Sequence, residues 1–266
     1  MARTIAIANQ KGGVGKTTLT LNLGASLTKI GKKVCLIDCD PQANMTMALG
    51  CQQPDELPIA MPDIVQEIIK ANFDEETSEL MRKREYIMHS QGMDFIPSSI
   101  ALADIENLVL NAISRENVLK KLINYIKDDY DFVLLDSIPS LNIMVVNVLN
   151  AADSVLIPVQ PQFFSAKGLE LLFSPIGNVK RKLNPNLEIA GALVTMYDSR
   201  VIFHRETVKK LEEAFSGYIK IFDTKIPMSI KATESQALSI SIFEHEPTGK
   251  FAENYELFTQ ELLDTF

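Results

Sequence analysis

Residues 11–18 read KGGVGKTT, three glycines and two lysines in eight positions, closed by paired threonines. Glycines let successive backbone N–H groups turn toward one point, and a concave run of such donors holds phosphate oxygens. A helix starting at the end of the loop adds the positive end of its dipole. Lys16 brings a full charge to the outer phosphates, and the Thr17 hydroxyl stands where a Mg²⁺ ligand is needed. The ordinary phosphate-loop pattern has glycine where Gln10 stands, so this is a variant form, and what it adds is Lys11. Downstream, LIDCDPQAN places Asp38 and Asp40 where the carboxyl ends of parallel strands open onto a ligand crevice. One of these carboxylates can orient an attacking water, and Pro41 stops the strand so that the side chains face the site. FVLLDS ends an apolar run in Asp136, the Walker B arrangement in which an aspartate holds Mg²⁺ through water.

Such groups meet only if several strands end side by side, and the chain alternates strand-like with helix-like signals from its start. Short apolar or β-branched runs predict seven strands, at 4–8, 34–37, 93–96, 132–135, 154–159, 189–195 and 219–226. Stretches of helical spacing lie between and after them, at about 16–30, 63–71, 114–128, 141–151, 165–182, 202–216 and 248–265. The fold class expected is α/β, a mainly parallel twisted sheet of about seven strands with helices on both faces. Residues 51–62 are polar and proline-rich and 72–92 are charged and weakly periodic, so a surface excursion is expected around 51–92 within one domain spanning 1–266.

With 46% hydrophobic residues, the chain can bury a sizeable core. No apolar run approaches the roughly 18 residues of a membrane span, and MARTIAIANQ meets Gln10 and Lys11 before a signal core can form. A cytoplasmic protein is expected. Cys35, Cys39 and Cys51 are too few for a disulfide scaffold and too irregular for a zinc site, and read as structural thiols. A formal charge of −8 excludes a uniformly basic nucleic-acid coat and leaves room for a local basic patch.

Taken together, KGGVGKTT with its early Lys11, LIDCDPQAN, FVLLDSIPSL, VLIPVQPQFFSAKGLELL and TKIP resemble, in order and over essentially the whole chain, the ParA/Soj partition ATPases of the deviant Walker A group. The resemblance implies an ATP- and Mg²⁺-dependent ATPase in which Lys11, Gly12, Gly13, Val14, Gly15, Lys16, Thr17 and Thr18 cradle the phosphates. It makes Lys11 the signature lysine that reaches the nucleotide of a partner subunit, so that ATP is sandwiched in a homodimer. It makes Asp40 the residue that positions the hydrolytic water and Asp136 the magnesium-associated one. Pro227 and Ser229 fall in the adenine-contacting segment. Members bind double-stranded DNA non-specifically as ATP dimers, and a ParB-type centromere-binding protein stimulates hydrolysis and release.

Several positions depart from the family pattern. A second proline is usual where Ile138 stands, glycine where Asn142 stands, and acidic residues where Gln162 and Lys167 stand. Arginines that contribute to DNA binding are usual where Met228 and Lys231 sit, whereas Arg200 in TMYDSR fits a retained basic position. The stretch 196–231 carries seven Lys/Arg against five acids, so Arg200, Lys225 and Lys231 are candidate DNA contacts, with a solvated helix face the competing reading. The acidic C-terminal GKFAENYELFTQELLDTF lacks the basic face of a MinD-like membrane helix. All cysteines precede residue 52, against an iron–sulfur electron carrier of the nitrogenase-reductase kind. With the phosphate loop this near the N-terminus, no preceding helix-turn-helix domain is expected. A nucleotide-gated adaptor that positions a protein complex, with little or no DNA binding, is the alternative function.

Overall fold

Period-two alternation along buried strands sorts their side chains onto the two faces of a sheet, and this fixes which helices each strand residue meets. The computed structural model describes residues 2–71, 79–140, 142–162 and 165–266, the last with backbone alone over 165–168. The expected Lys167 side chain and parts of the 72–92 and 155–172 motifs therefore lie outside the described residues.

In chain order the elements are β1 (Arg3–Ile7), α1 (Lys16–Lys29), β2 (Val34–Asp38), α2 (Asn44–Ala48), α3 (Met61–Lys70), α4 (Glu79–Lys83), β3 (Met88–Ser90), β4 (Met93–Ile96), α5 (Leu102–Asn111), α6 (Val118–Ile126), β5 (Phe132–Asp136), α7 (Ile143–Ala151), β6 (Ser154–Val159), α8 (Ser165–Lys182), β7 (Glu188–Tyr197), α9 (Ile202–Phe215), β8 (Ile221–Pro227), α10 (Ile230–Ala237), α11 (Ile242–His245) and α12 (Lys250–Leu263). The described strands form one eight-stranded sheet in the order β3-β4-β2-β5-β1-β6-β7-β8. All neighbours are parallel except β3 and β4.

The α/β class holds, with one strand more than the seven expected. The addition, β3, is three residues long and joins β4 through Gln91 and Gly92, both at positive φ (53° and 76°). Such a two-residue hairpin is ordinarily marked by Asn-Gly or Asp-Gly, and three residues are too few to display alternation. The 51–92 stretch is also less superficial than expected. Met61, Ile64, Val65 and Ile68 of α3 are buried in the core beneath the sheet.

Cys35, Ile37, Val133, Leu135, Val155 and Ile157 point to one face, where α3 and α5 to α9 cover them. Val34, Leu36, Phe132, Leu134 and Leu156 point to the other, beneath α1, α2 and α10 to α12. Asp38 and Asp136 each follow by two positions a residue of this second set, and they lie in register on adjacent strands. Both carboxylates are thereby aimed at the face that carries α1. Gly24 lets α1 settle closely there, since a Cβ would lie 2.8 Å from Met93 Sδ and 2.9 Å from Leu36 Cδ2. The acidic α12 is a core element, burying Phe251, Tyr255, Phe258 and Leu262. Among the described residues no helix is long and apolar enough to cross a membrane.

Candidate functional site

The loop between β1 and α1 turns through Gly13 (φ 71°) and Gly15 (φ 85°), both in the left-handed region that favours glycine. Neighbouring strand ends hold it open. Asn9 Nδ2 donates to the Pro158 carbonyl at 2.7 Å, and the Asn9 Oδ1 accepts the Lys11 N–H at 3.0 Å. Thr195 Oγ1 donates to the Val14 carbonyl at 2.8 Å, and Gln160 Nε2 to that of Gly13 at 2.6 Å. Sequence reasoning missed these anchors. Their only signal is that Asn9, Gln160 and Thr195 are polar residues within or just beyond the final turn of apolar strands.

Lys16, the first residue of α1, is buried, and its Nζ lies 3.4 Å from the Lys11 carbonyl oxygen. Burial lowers its pKa, against the opposing pull of Asp136 and Asp40. Thr17 Oγ1 donates to Asp136 Oδ2 at 2.7 Å. Asp136 is 1% exposed, and burial, then the charge of Asp38, pushes its carboxyl above the usual range, against the Thr17 hydrogen bond and Lys16. A carboxylate so placed is short of positive charge, and a hydroxyl beside it lines the cavity. This donor set fits a hydrated Mg²⁺, which takes few protein ligands and keeps several waters.

The two aspartates of the second strand part company. Asp40 is half-exposed and lines the cavity, as expected. Asp38 does not face the crevice: it is fully buried and accepts hydrogen bonds from Thr46 N (2.9 Å), Thr46 Oγ1 (2.7 Å) and Asp40 N (3.1 Å). It thus ties α2 and the backbone of Asp40 to the end of β2. Pro41 follows the strand end, but the chain's turn back onto Asp38 claims that carboxylate. Burial raises the Asp38 pKa despite these donors.

The cavity, about 660 Å³, runs from the loop glycines, Lys16, Thr17 and Thr18 to α2 and α10. A smaller, more apolar cavity of about 250 Å³ opens beside it, lined by Pro227, Ser229, Phe251 and Tyr255 among others. Val14 is buried beneath the loop. Lys11 lies outside the cavity lining: it is exposed, and its ammonium donates a hydrogen bond to Gln162 Oε1. Met196, at φ 54°, lines both cavities and receives the Gln160 amide on its sulfur. A non-glycine residue in that conformation carries strain of the kind found at binding sites.

Two of the sequence departures have structural reasons. Ile138 is buried in the core. Asn142 caps α7, its Oδ1 accepting the N–H groups of Met144 (3.1 Å) and Val145 (3.2 Å). The candidate DNA contacts are each engaged with an acid: Arg200 with Asp198 at 2.8 Å, Lys225 with Glu212 at 3.4 Å, and Lys231 with Glu234 at 2.7 Å. Arg200 and Lys225 line one surface cavity with Asp198 and Asp223, and Lys231 lies apart on α10.

A glycine loop between the first strand and first helix, with a buried lysine inside it and carboxylates at adjacent strand ends, defines a P-loop nucleotide-binding protein. A family model described as an AAA domain matches residues 2–189. The chain is 36% identical over 261 residues to the sporulation initiation inhibitor protein Soj of Bacillus subtilis, covering 96% of each chain. It is 35% identical over 263 residues to the chromosome-partitioning ATPase Soj of Treponema pallidum, covering 99% of this chain and 98% of the relative. Among solved structures, cobyrinic acid a,c-diamide synthase of Mycobacterium smegmatis with bound ATP analog and magnesium is similar at a TM-score of 0.83 and 30% identity, covering 99% of this chain and 95% of that one. The chain belongs to the Soj/ParA family of partition ATPases.

Proposed function

We propose that this protein is an ATP-driven DNA-partition switch. Mg·ATP binds through the loop from Lys11 to Thr18, with Lys16 on the outer phosphates, Thr17 and Asp136 holding Mg²⁺, the latter through water, and Pro227 and Ser229 beside adenine. Asp40 orients the hydrolytic water. The observation that carries the reading is the division of labour between the two loop lysines: Lys16 is buried at the cavity and Lys11 is exposed at its rim, outside the lining. A lysine in that position need only leave Gln162 to serve a nucleotide bound by a second copy, so ATP completes a homodimer. Pairing presents each basic residue twice, which converts weak, salt-sensitive phosphate contacts into useful binding of non-specific duplex DNA. A ParB-type partner then stimulates an otherwise slow hydrolysis and releases the DNA, and the ATP form is the nucleoid-associated one in the cytoplasm.

A second reading rests on the acids that engage Arg200, Lys225 and Lys231. If those pairs persist in the dimer, the protein is a nucleotide-gated adaptor with little DNA affinity. Binding to random duplex DNA over a salt series, with ATP and with ADP, separates the two. The partition reading requires binding with ATP alone, falling steeply with salt and strengthened in Asp40→Ala, where hydrolysis no longer resets the dimer. Equal binding with ADP and ATP defeats it, and no binding in either state selects the adaptor.

A further inference from the structure

The two cavities at the loop meet along a shared wall of Gly15, Thr18, Met196, Thr233 and Gln236. One side of this neck carries the phosphate-binding groups and the other the apolar lining suited to a base. In a nucleotide the ribose joins these two parts, so whatever fits both cavities must pass its sugar through the neck. Gln236, on α10, is half-buried there, and its Nε2 donates to Thr18 Oγ1 at 3.0 Å. Thr18 stands in the first turn of α1, beside the loop, so its hydrogen bond ties the carboxamide to the phosphate-binding side of the neck.

We infer that Gln236 reads the ribose and makes the site selective for ribonucleotides over 2′-deoxyribonucleotides. The inference rests on the nucleotide-binding reading above and specifies a residue for it. A carboxamide offers a donor pair and an acceptor from one rigid plane, and a ribose diol offers hydroxyls that both donate and accept, so the two match in kind. Glycine and methionine at the neck have no comparable side-chain group, and Thr233 brings a single hydroxyl on an exposed residue. Before ligand arrives, the amide is kept satisfied by Thr18. When nucleotide enters, the Thr18 hydroxyl is released to the phosphate and the amide turns to the sugar. A ligand lacking the 2′-hydroxyl leaves the displaced amide short of a partner, and it is this shortfall that discriminates.

The test is calorimetric titration of the full chain with Mg·ADP and Mg·dADP, which removes turnover and the γ-phosphate from the comparison. Wild type is expected to bind ADP about tenfold more tightly than dADP, the scale of one net hydrogen bond. Gln236→Ala and the space-filling Gln236→Met should bind the two ligands equally, at an affinity no weaker than that of wild type for dADP, because no amide is left to go unpaired. Since Met preserves the volume at the neck, it keeps the measurement available if Ala disturbs α10. Equal affinity of wild type for the two ligands overturns the assignment. So does an equal weakening of both ligands in the variants, which would make Gln236 a phosphate contact, and so does a loss of discrimination in Thr233→Val with none in Gln236→Met. Failure of wild type to bind either ligand would instead remove the nucleotide reading itself.

Discussion

Lys11 and Lys16 sit five positions apart in one loop, yet their surroundings differ in every respect that matters to a charge. Lys16 is buried and borders the cavity with Asp136 and Asp40 nearby, whereas Lys11 is exposed and rests on Gln162. Removing the buried charge should remove nucleotide binding outright, so Lys16→Gln is expected to show no Mg·ATP binding by calorimetry. Lys11→Ala should keep monomeric binding within a few-fold and lose ATP-dependent dimerisation and turnover, read by light scattering and phosphate release. An unchanged ATP dimer in Lys11→Ala would remove the cross-subunit role. The aspartates teach the complementary lesson. Residue types and spacing in LIDCDPQAN left Asp38 and Asp40 equivalent, and only the family resemblance singled out Asp40; the physical reason that Asp38 is taken up elsewhere is Thr46, eight positions beyond it and brought back by the turn into α2.

At the scale of elements, a side-chain cap decides where α7 begins, although α1, α2, α5, α6, α9, α10 and α12 start without one. Asn142 takes the first N–H groups of α7 directly after the loop that follows Asp136. Where the family pattern has glycine, this chain has a side-chain cap. Replacing it with alanine should cost about 1 kcal/mol, and replacing it with glycine only a few tenths. Urea unfolding of Asn142→Ala and Asn142→Gly measures the difference, and equal stabilities would mean that the cap contributes nothing. Long helical stretches such as α1 and α6, and a continuous apolar run such as β5, were legible in advance. By contrast α2, α4 and α11 are four or five residues long, too short to show a helical period, and α5 went unmarked although its Leu102, Ile105 and Val109 face the core.

Across the whole molecule, the site is a meeting of α1, α2 and α10 with the ends of β1, β2, β5, β6 and β7, and α12 adds Phe251 and Tyr255 to the apolar cavity. A ligand that bridges so many elements should stabilise all of them together. At Mg·ADP one hundred times its dissociation constant, linkage adds about 2.7 kcal/mol, which for a chain of this size raises the melting temperature by roughly 5–10 °C. Scanning fluorimetry should show that shift as one transition, reduced when EDTA removes Mg²⁺, and a transition unaffected by nucleotide would refute the cavity assignment. The α/β class, the phosphate loop and the carboxylates at the strand ends can all be read from local stretches of chain. Each is written in a local pattern, glycine spacing or a β-branched run with a polar terminus, that needs no distant partner. That Asp38 is a clamp, that Lys11 lies outside the cavity, and that Asn9, Gln160, Thr195 and Gln236 gather at the loop emerge on folding. The physical reason is that these roles are hydrogen bonds and burial set between segments up to 218 positions apart, and a linear pattern carries no record of which strand ends will become neighbours.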